Sequence, residues 1–91
     1  MGRRRSKRKT VLTAAAREDL EFWQENNPRI VQTINLLLES ILEDPTKGIG
    51  KPERLKYELS GDWSRRITYK HRMVYQVHHN TIIILQLRDH I

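Results

Sequence analysis

The chain has 91 residues, no cysteine and a formal net charge of +6, a size that suits one domain with a modest core. The lack of cysteine excludes a disulfide framework and a thiolate metal site. No apolar run approaches the roughly 18 residues that a membrane span needs, and no apolar segment with a cleavage site follows the basic start. We therefore expect neither a membrane protein nor a secreted one, and we expect the protein to act in the cytoplasm.

Charge is unevenly distributed along the chain. Residues 1–10 carry six basic side chains and no acidic one, residues 11–50 carry three basic and seven acidic, and residues 51–91 carry eight basic and four acidic. We expect a basic, disordered arm at residues 1–9 and a single domain at 10–91. The basic half suits a polyanionic ligand, because charge summed over a surface attracts phosphates. A merely solvated surface explains the charge equally well.

The first half of the chain predicts a short strand and two helices. The segment KTVLT alternates weakly, as a strand does, and Thr13 is suited to cap the helix after it. Pro28 favours the first position of a second helix, with Asn27 as its cap. Each helix has apolar residues on one face at spacings of three and four: Ala16, Leu20 and Trp23 in the first, and Ile30, Ile34, Leu37 and Ile41 in the second.

The second half predicts four strands, at about residues 54–59, 63–69, 72–79 and 81–88. The short connections S-G-D, K-H and H-N indicate an antiparallel meander. The whole chain therefore predicts an α+β fold, in which two N-terminal helices pack on one face of a mainly antiparallel sheet of four to five strands. The other face of the sheet is expected to stay open and to carry the function.

Alternation of side chains along a strand predicts which residues occupy each face. The open face would hold Arg66 and Arg72 and, if the alternation continues to the end of the chain, His90. A bulge would break this pattern. The core face would hold these residues: Trp63, Ile67, Tyr69, Met73, Tyr75, Val77, Ile83, Leu85 and Leu87.

The open face would combine these side chains with Glu53 and Lys56, a set suited to RNA cleavage without a metal. A base takes the proton of the 2′-hydroxyl, an acid protonates the leaving 5′-oxygen, and fixed positive charge stabilises the phosphorane. Glutamate can be the base, histidine the acid, and arginines bind phosphate. Plainer roles are open for each residue: a solvated loop glutamate, arginines paired with carboxylates on an exposed strand, and a frayed terminal histidine.

No metal or other cofactor is expected. His78 and His79 are adjacent on a predicted strand, so their side chains point in opposite directions. No cysteine and no acidic cluster accompanies them in the sequence. A solvated turn is the simpler interpretation of this pair.

Longer motifs resemble a known family. The stretch GKPERLKYELSGDWSRRITYKHRMVYQV, with FWQENNPRIVQTINLLLESI before it, closely resembles the YoeB/Txe family of bacterial toxins within the RelE/ParE group. The resemblance covers about residues 9–91. It implies a ribosome-dependent endoribonuclease that cuts mRNA in the A site, with the 70S ribosome, mRNA and a YefM/Phd-type antitoxin as partners. A homodimer is left open.

The resemblance also implies a role for individual residues. Members of the family commonly end in His-Tyr, whereas this chain ends in His-Ile. A catalytically weakened module that binds antitoxin therefore stays open as an alternative. A ParE-like inhibitor of DNA gyrase without enzymatic activity stays open as well, because it uses the same fold. The implied roles are these: Glu53 as general base, His90 as general acid, Arg66 and Arg72 as ligands of the scissile phosphate, and Lys56 and Arg65 as substrate-binding residues.

Overall fold

Two helices and five strands make up the part of the chain that the structure, a computed structural model, describes: residues 7–56 and 61–89. His90, most of the expected basic arm and residues 57–60 of the expected strand 54–59 lie outside these ranges. The elements are, in chain order, β1 (Lys9–Leu12), α1 (Ala14–Asn26), α2 (Pro28–Glu43), β2 (Glu53–Arg54), β3 (Trp63–Arg66), β4 (Arg72–His78) and β5 (Thr81–Gln86).

The five strands form one mixed sheet in the order β1-β5-β4-β3-β2. Strands β2 to β5 pair antiparallel as a meander, and β1 pairs parallel with β5 at the other edge. A parallel pair requires a crossover connection. After β1 the chain forms the two helices, which pack on one face of the sheet, and it then enters the meander. The predicted α+β architecture is confirmed.

The ends of the helices follow the sequence signals closely. Thr13 caps α1, because its Oγ1 accepts a hydrogen bond of 3.1 Å from the amide of Ala16. Pro28 is the first residue of α2, as expected, but the side chain of Asn27 makes no capping hydrogen bond to the described first turn. Both predicted apolar faces are directed to the core, with Leu20 only half-buried at its edge.

Two hydrogen bonds join α1 to the end of β5. The indole Nε1 of Trp23 donates to the carbonyl of Leu87 at 2.9 Å, and the amide of Leu87 donates to Oδ2 of Asp19 at 2.9 Å. Asp19 and Leu87 are buried, and buried polar groups need such partners. The chain that follows β5 is therefore held against the helix layer.

Neither described helix has the length and hydrophobicity that crossing a bilayer requires.

The alternation predicted for β5 is wrong over most of the strand. Ile82 and Ile84 are fully buried, whereas Ile83 and Leu85 are half-buried. The pairing register with β4 then shifts by one residue, which leaves Leu85 as an extra residue in a β-bulge. A bulge inverts the alternation that follows it, so Leu87 is buried as expected.

Tyr69 does not lie in the core, as alternation had predicted, but is 97% exposed. β3 ends at Arg66, and the chain then turns. The amides of Ile67 and Thr68 both donate to the carbonyl of His71, at 2.9 and 3.1 Å. Alternation applies only within a strand, so it has no predictive value at the tip of this turn.

The described part of the expected arm is attached to the domain. β1 begins at Lys9, inside the arm expected at residues 1–9, and its amide donates to the carbonyl of Asn80 at 2.8 Å. The guanidinium of Arg8 donates to the carbonyls of Leu42 and Glu43 at the end of α2, at 2.9 and 3.0 Å. The fold therefore begins before residue 10.

The side chain of Arg65 organises the loop between α2 and β2. It is 0% exposed and lies beneath the sheet, on the side of the helices. An arginine has five N–H donors, and within the described residues all of them have acceptors. Nε donates to the Tyr75 hydroxyl (3.0 Å), Nη1 to Ser40 Oγ (2.7 Å) and the Ile49 carbonyl (3.0 Å), and Nη2 to the carbonyls of Asp44 (2.7 Å) and Lys47 (2.8 Å).

Tyr75 extends this network. Its hydroxyl accepts from Arg65 and donates to the carbonyl of Pro45 at 2.6 Å. Burial raises the pKa of Tyr75 above its ordinary value, which keeps the hydroxyl protonated and able to donate. Two side chains from neighbouring strands thus bind four carbonyls of a loop that has no regular structure of its own.

Replacing Arg65 with methionine should destabilise the protein strongly. The change leaves three loop carbonyls without their donor, and breaking a buried charged network typically costs about 3–5 kcal/mol. The matched control is Arg66→Met in the same strand, which alters an exposed residue and should stay within about 0.5 kcal/mol. Urea unfolding followed by tryptophan fluorescence measures both, and equal losses would contradict the structural role of Arg65.

Candidate functional site

Four charged side chains line a shallow cleft on the open face of the sheet. Lys51, Glu53, Arg66 and Arg72 surround about 170 Å³ of space that is open to solvent; we call this the charged cleft. It brings together three of the four residues expected to be catalytic. These three residues lie together on the open face of the sheet, where the sequence predicted them.

Strand pairing explains why these residues meet. Glu53 on β2 pairs with Ser64 on β3, and Arg66, two residues further along β3, pairs with Arg72 on β4. Residues two apart on a strand share a face, and paired residues lie about 5 Å apart. The short β2 therefore places the Glu53 carboxylate beside Arg66 and Arg72.

Glu53 and Arg72 make a direct but exposed ion pair. Arg72 Nη1 lies 3.4 Å from Glu53 Oε1, and the two side chains remain 43% and 61% exposed respectively. The same Nη1 lies 3.4 Å from the hydroxyl of Ser64. Ion pairs this exposed contribute only about 0–1 kcal/mol. A bound anion can therefore replace the carboxylate as the partner of Arg72 at little cost.

The loop before β2 places Lys51 in the charged cleft. Arg66 donates its amide to the carbonyl of Gly50 at 2.7 Å. Gly50 has a φ of +82°, and a Cβ at this position would lie 2.6 Å from Leu37 Cδ2. The positive φ and the contact with Leu37 together favour glycine at this position. Sequence reasoning missed Lys51, although it lies two residues before Glu53 in the G-K-P-E run.

The two residues expected to bind substrate do not line the charged cleft. Lys56 is exposed at the end of the first described range, beyond β2. Arg65 is on the opposite face, where its guanidinium is buried and all its donors are used by the protein. This placement corrects the expected role of Arg65, because its guanidinium offers no accessible surface to a substrate.

His90, the expected general acid, follows directly on the last described residue. Asp89 Oδ1 accepts hydrogen bonds from the amide of Arg72 at 3.3 Å and from Nε2 of Gln86 at 3.2 Å. The amide of Asp89 donates to Nδ1 of His71 at 3.1 Å. The described chain therefore ends against the backbone of one of the arginines of the charged cleft.

The charged cleft is suited to binding an anion and to accepting or donating a proton. Three cations surround one carboxylate, so the local charge is positive and favours phosphate. Within residues 7–56 and 61–89, no group of three or more histidine, aspartate or glutamate side chains could hold a metal ion. Among the described residues, the site thus offers proton transfer by a carboxylate together with charge stabilisation by arginine and lysine.

Two helices over a five-stranded mixed sheet, with a charged cleft on the opposite face, define the RelE-like α+β class of small proteins. The family of YoeB-like toxins of bacterial type II toxin–antitoxin systems matches residues 12–91. The chain belongs to this family, as its motifs predicted.

Individual relatives agree with this assignment. The toxin YoeB of Escherichia coli K12 is 44% identical over 82 residues, which cover 90% of this chain and 98% of the relative. The toxin in a heterotetrameric YoeB–YefM complex from Staphylococcus aureus has a TM-score of 0.86 at 41% identity and covers 92% of this chain and 98% of its own. A YoeB dimer from the same species has a TM-score of 0.85 at 40% identity, covering 94% and 100%.

Replacing Gly50 with alanine should destabilise the protein more than the same change at Gly61. Both residues have positive φ, which costs a non-glycine residue about 1–3 kcal/mol. A Cβ at Gly61 meets no described atom within 4 Å, whereas one at Gly50 collides with Leu37, and overpacking adds about 1–3 kcal/mol. Urea unfolding measures the difference, and amide NMR shifts of Lys51 and Glu53 should change only in Gly50→Ala. Equal effects would show that the loop has room to adjust.

Proposed function

We propose that this chain is a ribosome-dependent mRNA endoribonuclease, the toxin of a type II toxin–antitoxin pair. The observation that carries the proposal is the charged cleft, where Glu53 lies 3.4 Å from Arg72 and beside Arg66 and Lys51. Membership of the YoeB-like toxin family supports it. The reaction would take place in the cytoplasm, where ribosomes translate mRNA.

The proposed reaction is attack of a ribose 2′-hydroxyl on the adjacent phosphate. Glu53 takes the hydroxyl proton, and the 2′-oxygen forms a bond to phosphorus. The bond from phosphorus to the 5′-oxygen then breaks, and His90 donates a proton to that oxygen. The products are a 2′,3′-cyclic phosphate and a free 5′-hydroxyl. Each positioned acid or base typically accelerates such a reaction about 10²–10⁴-fold.

The cations of the charged cleft would stabilise the transition state. The phosphorane carries more negative charge than the ground-state diester, so donors fixed around it favour the transition state. Arg66 and Arg72 come from paired positions of adjacent strands, which suits two guanidiniums that bind one phosphate. Lys51 adds a third positive charge from the loop. Lys56 is exposed and lies just after β2 in the sequence. It would contact RNA outside the charged cleft.

Exposure of the charged cleft fits a large substrate. Both members of the ion pair keep a large part of their surface in solvent, and no described segment covers them. An open site excludes water poorly by itself, and enzymes gain electrostatic strength when water leaves. A requirement for the ribosome follows naturally if ribosomal RNA and mRNA close the site from outside.

The antitoxin is proposed to be a YefM/Phd-type protein. A YoeB from Staphylococcus aureus assembles with YefM in a heterotetramer, and a YoeB structure from the same species is a dimer. A segment of the antitoxin that orders on binding could cover a wide surface of the toxin. Acidic side chains in that segment would pair with the basic half of the chain. A homodimer of the free toxin is proposed on the same grounds.

Changing the proposed catalytic residues should abolish mRNA cleavage without unfolding the protein. Glu53→Gln, Arg72→Ala and His90→Gln should each reduce the single-turnover rate on mRNA-programmed ribosomes by about 10²–10⁴-fold. Glu39→Gln and Arg29→Ala are matched controls, because both residues are exposed on α2, and they should cleave normally. The wild-type protein should not cut the same mRNA when ribosomes are absent.

The same preparations separate the alternatives. Normal cleavage by all three variants would end the catalytic assignment. Intact mRNA together with a DNA-damage response would support inhibition of DNA gyrase, and intact mRNA without any such response would support a module that only binds antitoxin. Mapping 5′ ends of ribosome-bound mRNA after induction detects the cleavage, and the DNA-damage response then distinguishes the two alternatives that leave mRNA intact.

Affinity for the antitoxin should fall as salt concentration rises. Residues 51–91 carry eight basic and four acidic side chains, and salt screens exposed charges over a Debye length of about 10 Å at 0.1 M. Isothermal titration calorimetry at low and high sodium chloride measures the effect. Equal affinity at both concentrations would show that charge makes no net contribution to the complex.

A further inference from the structure

We propose that His71 and Asp89 form a positioning pair that anchors the chain beside Arg72, one residue before His90, and so restricts where the proposed general acid can reach. This inference rests on the proposed function, because it assigns the pair to the delivery of the general acid. Neither residue would touch the substrate, and each would act through its neighbour.

The pair is joined by hydrogen bonds that run in both directions. The amide of Asp89 donates to Nδ1 of His71 at 3.1 Å, and Asp89 Oδ1 accepts from the amide of Arg72 at 3.3 Å. Nδ1 can accept this hydrogen bond only when it carries no proton. His71, the residue before β4, and Arg72, its first residue, thus bind the backbone and the side chain of Asp89.

His71 is itself held in place. Its ring packs edge-to-face on the indole of Trp23, with centroids 4.9 Å apart and planes at 78°. Its carbonyl accepts from the amides of Ile67 and Thr68 in the turn after β3. The acceptor nitrogen therefore has a fixed position relative to both the helix layer and the turn.

The contacts of Asp89 lie beyond the end of β5. The strand ends at Gln86, which pairs with Val74 of β4 on the far side of the bulge at Leu85. A regular ladder therefore does not continue to residue 89. The carboxylate of Asp89 replaces it, accepting from Arg72 and from Gln86 Nε2 at 3.2 Å. Side-chain bonds hold the chain where strand pairing has ended.

For a general acid, its position relative to the oxygen that it protonates matters more than how strongly the neighbouring chain is bound. A general acid must come within about 2.6–3.2 Å of the oxygen that it protonates, and a displacement of about 1 Å can cost about 10²-fold in rate. Consecutive Cα atoms are about 3.8 Å apart. Restraining Asp89 beside Arg72 therefore restricts where the next residue can reach.

Substitutions at His71 can separate positioning from folding. His71→Leu removes the acceptor, whereas His71→Asn retains an acceptor oxygen close to the position of Nδ1. His78→Leu is the matched control, because His78 lies exposed at the far end of β4. Asp89→Ala is a second route that leaves the ring on Trp23 undisturbed. Thermal unfolding checks that each variant is folded.

Two measurements test the proposal on the full chain. In His71→Leu, hydrogen exchange by NMR should show the Asp89 amide losing at least about 10-fold in protection. Single-turnover cleavage on mRNA-programmed ribosomes should fall about 10²-fold in His71→Leu and in Asp89→Ala, with the KM for ribosomes little changed. His71→Asn should recover most of both losses, and His78→Leu should match the wild type.

The contrary results are distinct from one another. Unchanged protection of Asp89 in His71→Leu would overturn the pair itself. Lost protection with an unchanged rate, while Glu53→Gln is inactive, would overturn the positioning role and leave the proposed function standing. A wild-type protein that cuts no mRNA would overturn both.

Discussion

The charged cleft depends on the hydrogen bonds that the guanidinium of Arg65 makes. The guanidinium is fully buried, and its donors bind the carbonyls of Asp44, Lys47 and Ile49 in the loop between α2 and β2. The loop has no hydrogen-bond ladder of its own, and buried carbonyls without donors are costly. By binding these carbonyls, the Arg65 side chain fixes the path of the loop and thereby the positions of Lys51 and Glu53.

Two adjacent arginines thus have opposite roles. Arg65 points into the protein and binds a loop, and Arg66 points out and lines the charged cleft on the other face. A one-residue shift of register would exchange them and would bury the wrong charge. The backbone hydrogen bond from Arg66 to Gly50 opposes that shift, since it ties the same strand to the loop that Arg65 holds. Structure and site are therefore specified by the same few contacts.

The segment after β5 contacts the backbone of Arg72, one of the residues that line the charged cleft. β5 pairs with β4 as far as Gln86, beyond the bulge at Leu85, and Trp23, Asp19 and His71 then bind the chain through side chains. Helix, turn and strand all contribute to this region. The charged cleft takes Lys51 from a loop and its other residues from three strands, so it requires the core to place each of these elements.

The sequence by itself determined the elements and their faces wherever a pattern is local. Thr13 and Pro28 mark the starts of helices, and alternation assigned Arg66, Arg72 and Met73 to the correct sides. The motifs around Glu53 and Arg66 indicated the family. Tertiary structure alone decided the rest. The bulge at Leu85 depends on pairing with another strand, so counting along one strand missed it. The burial of Arg65 depends on loop carbonyls that no local pattern shows, and Tyr69 is exposed because its strand ends early.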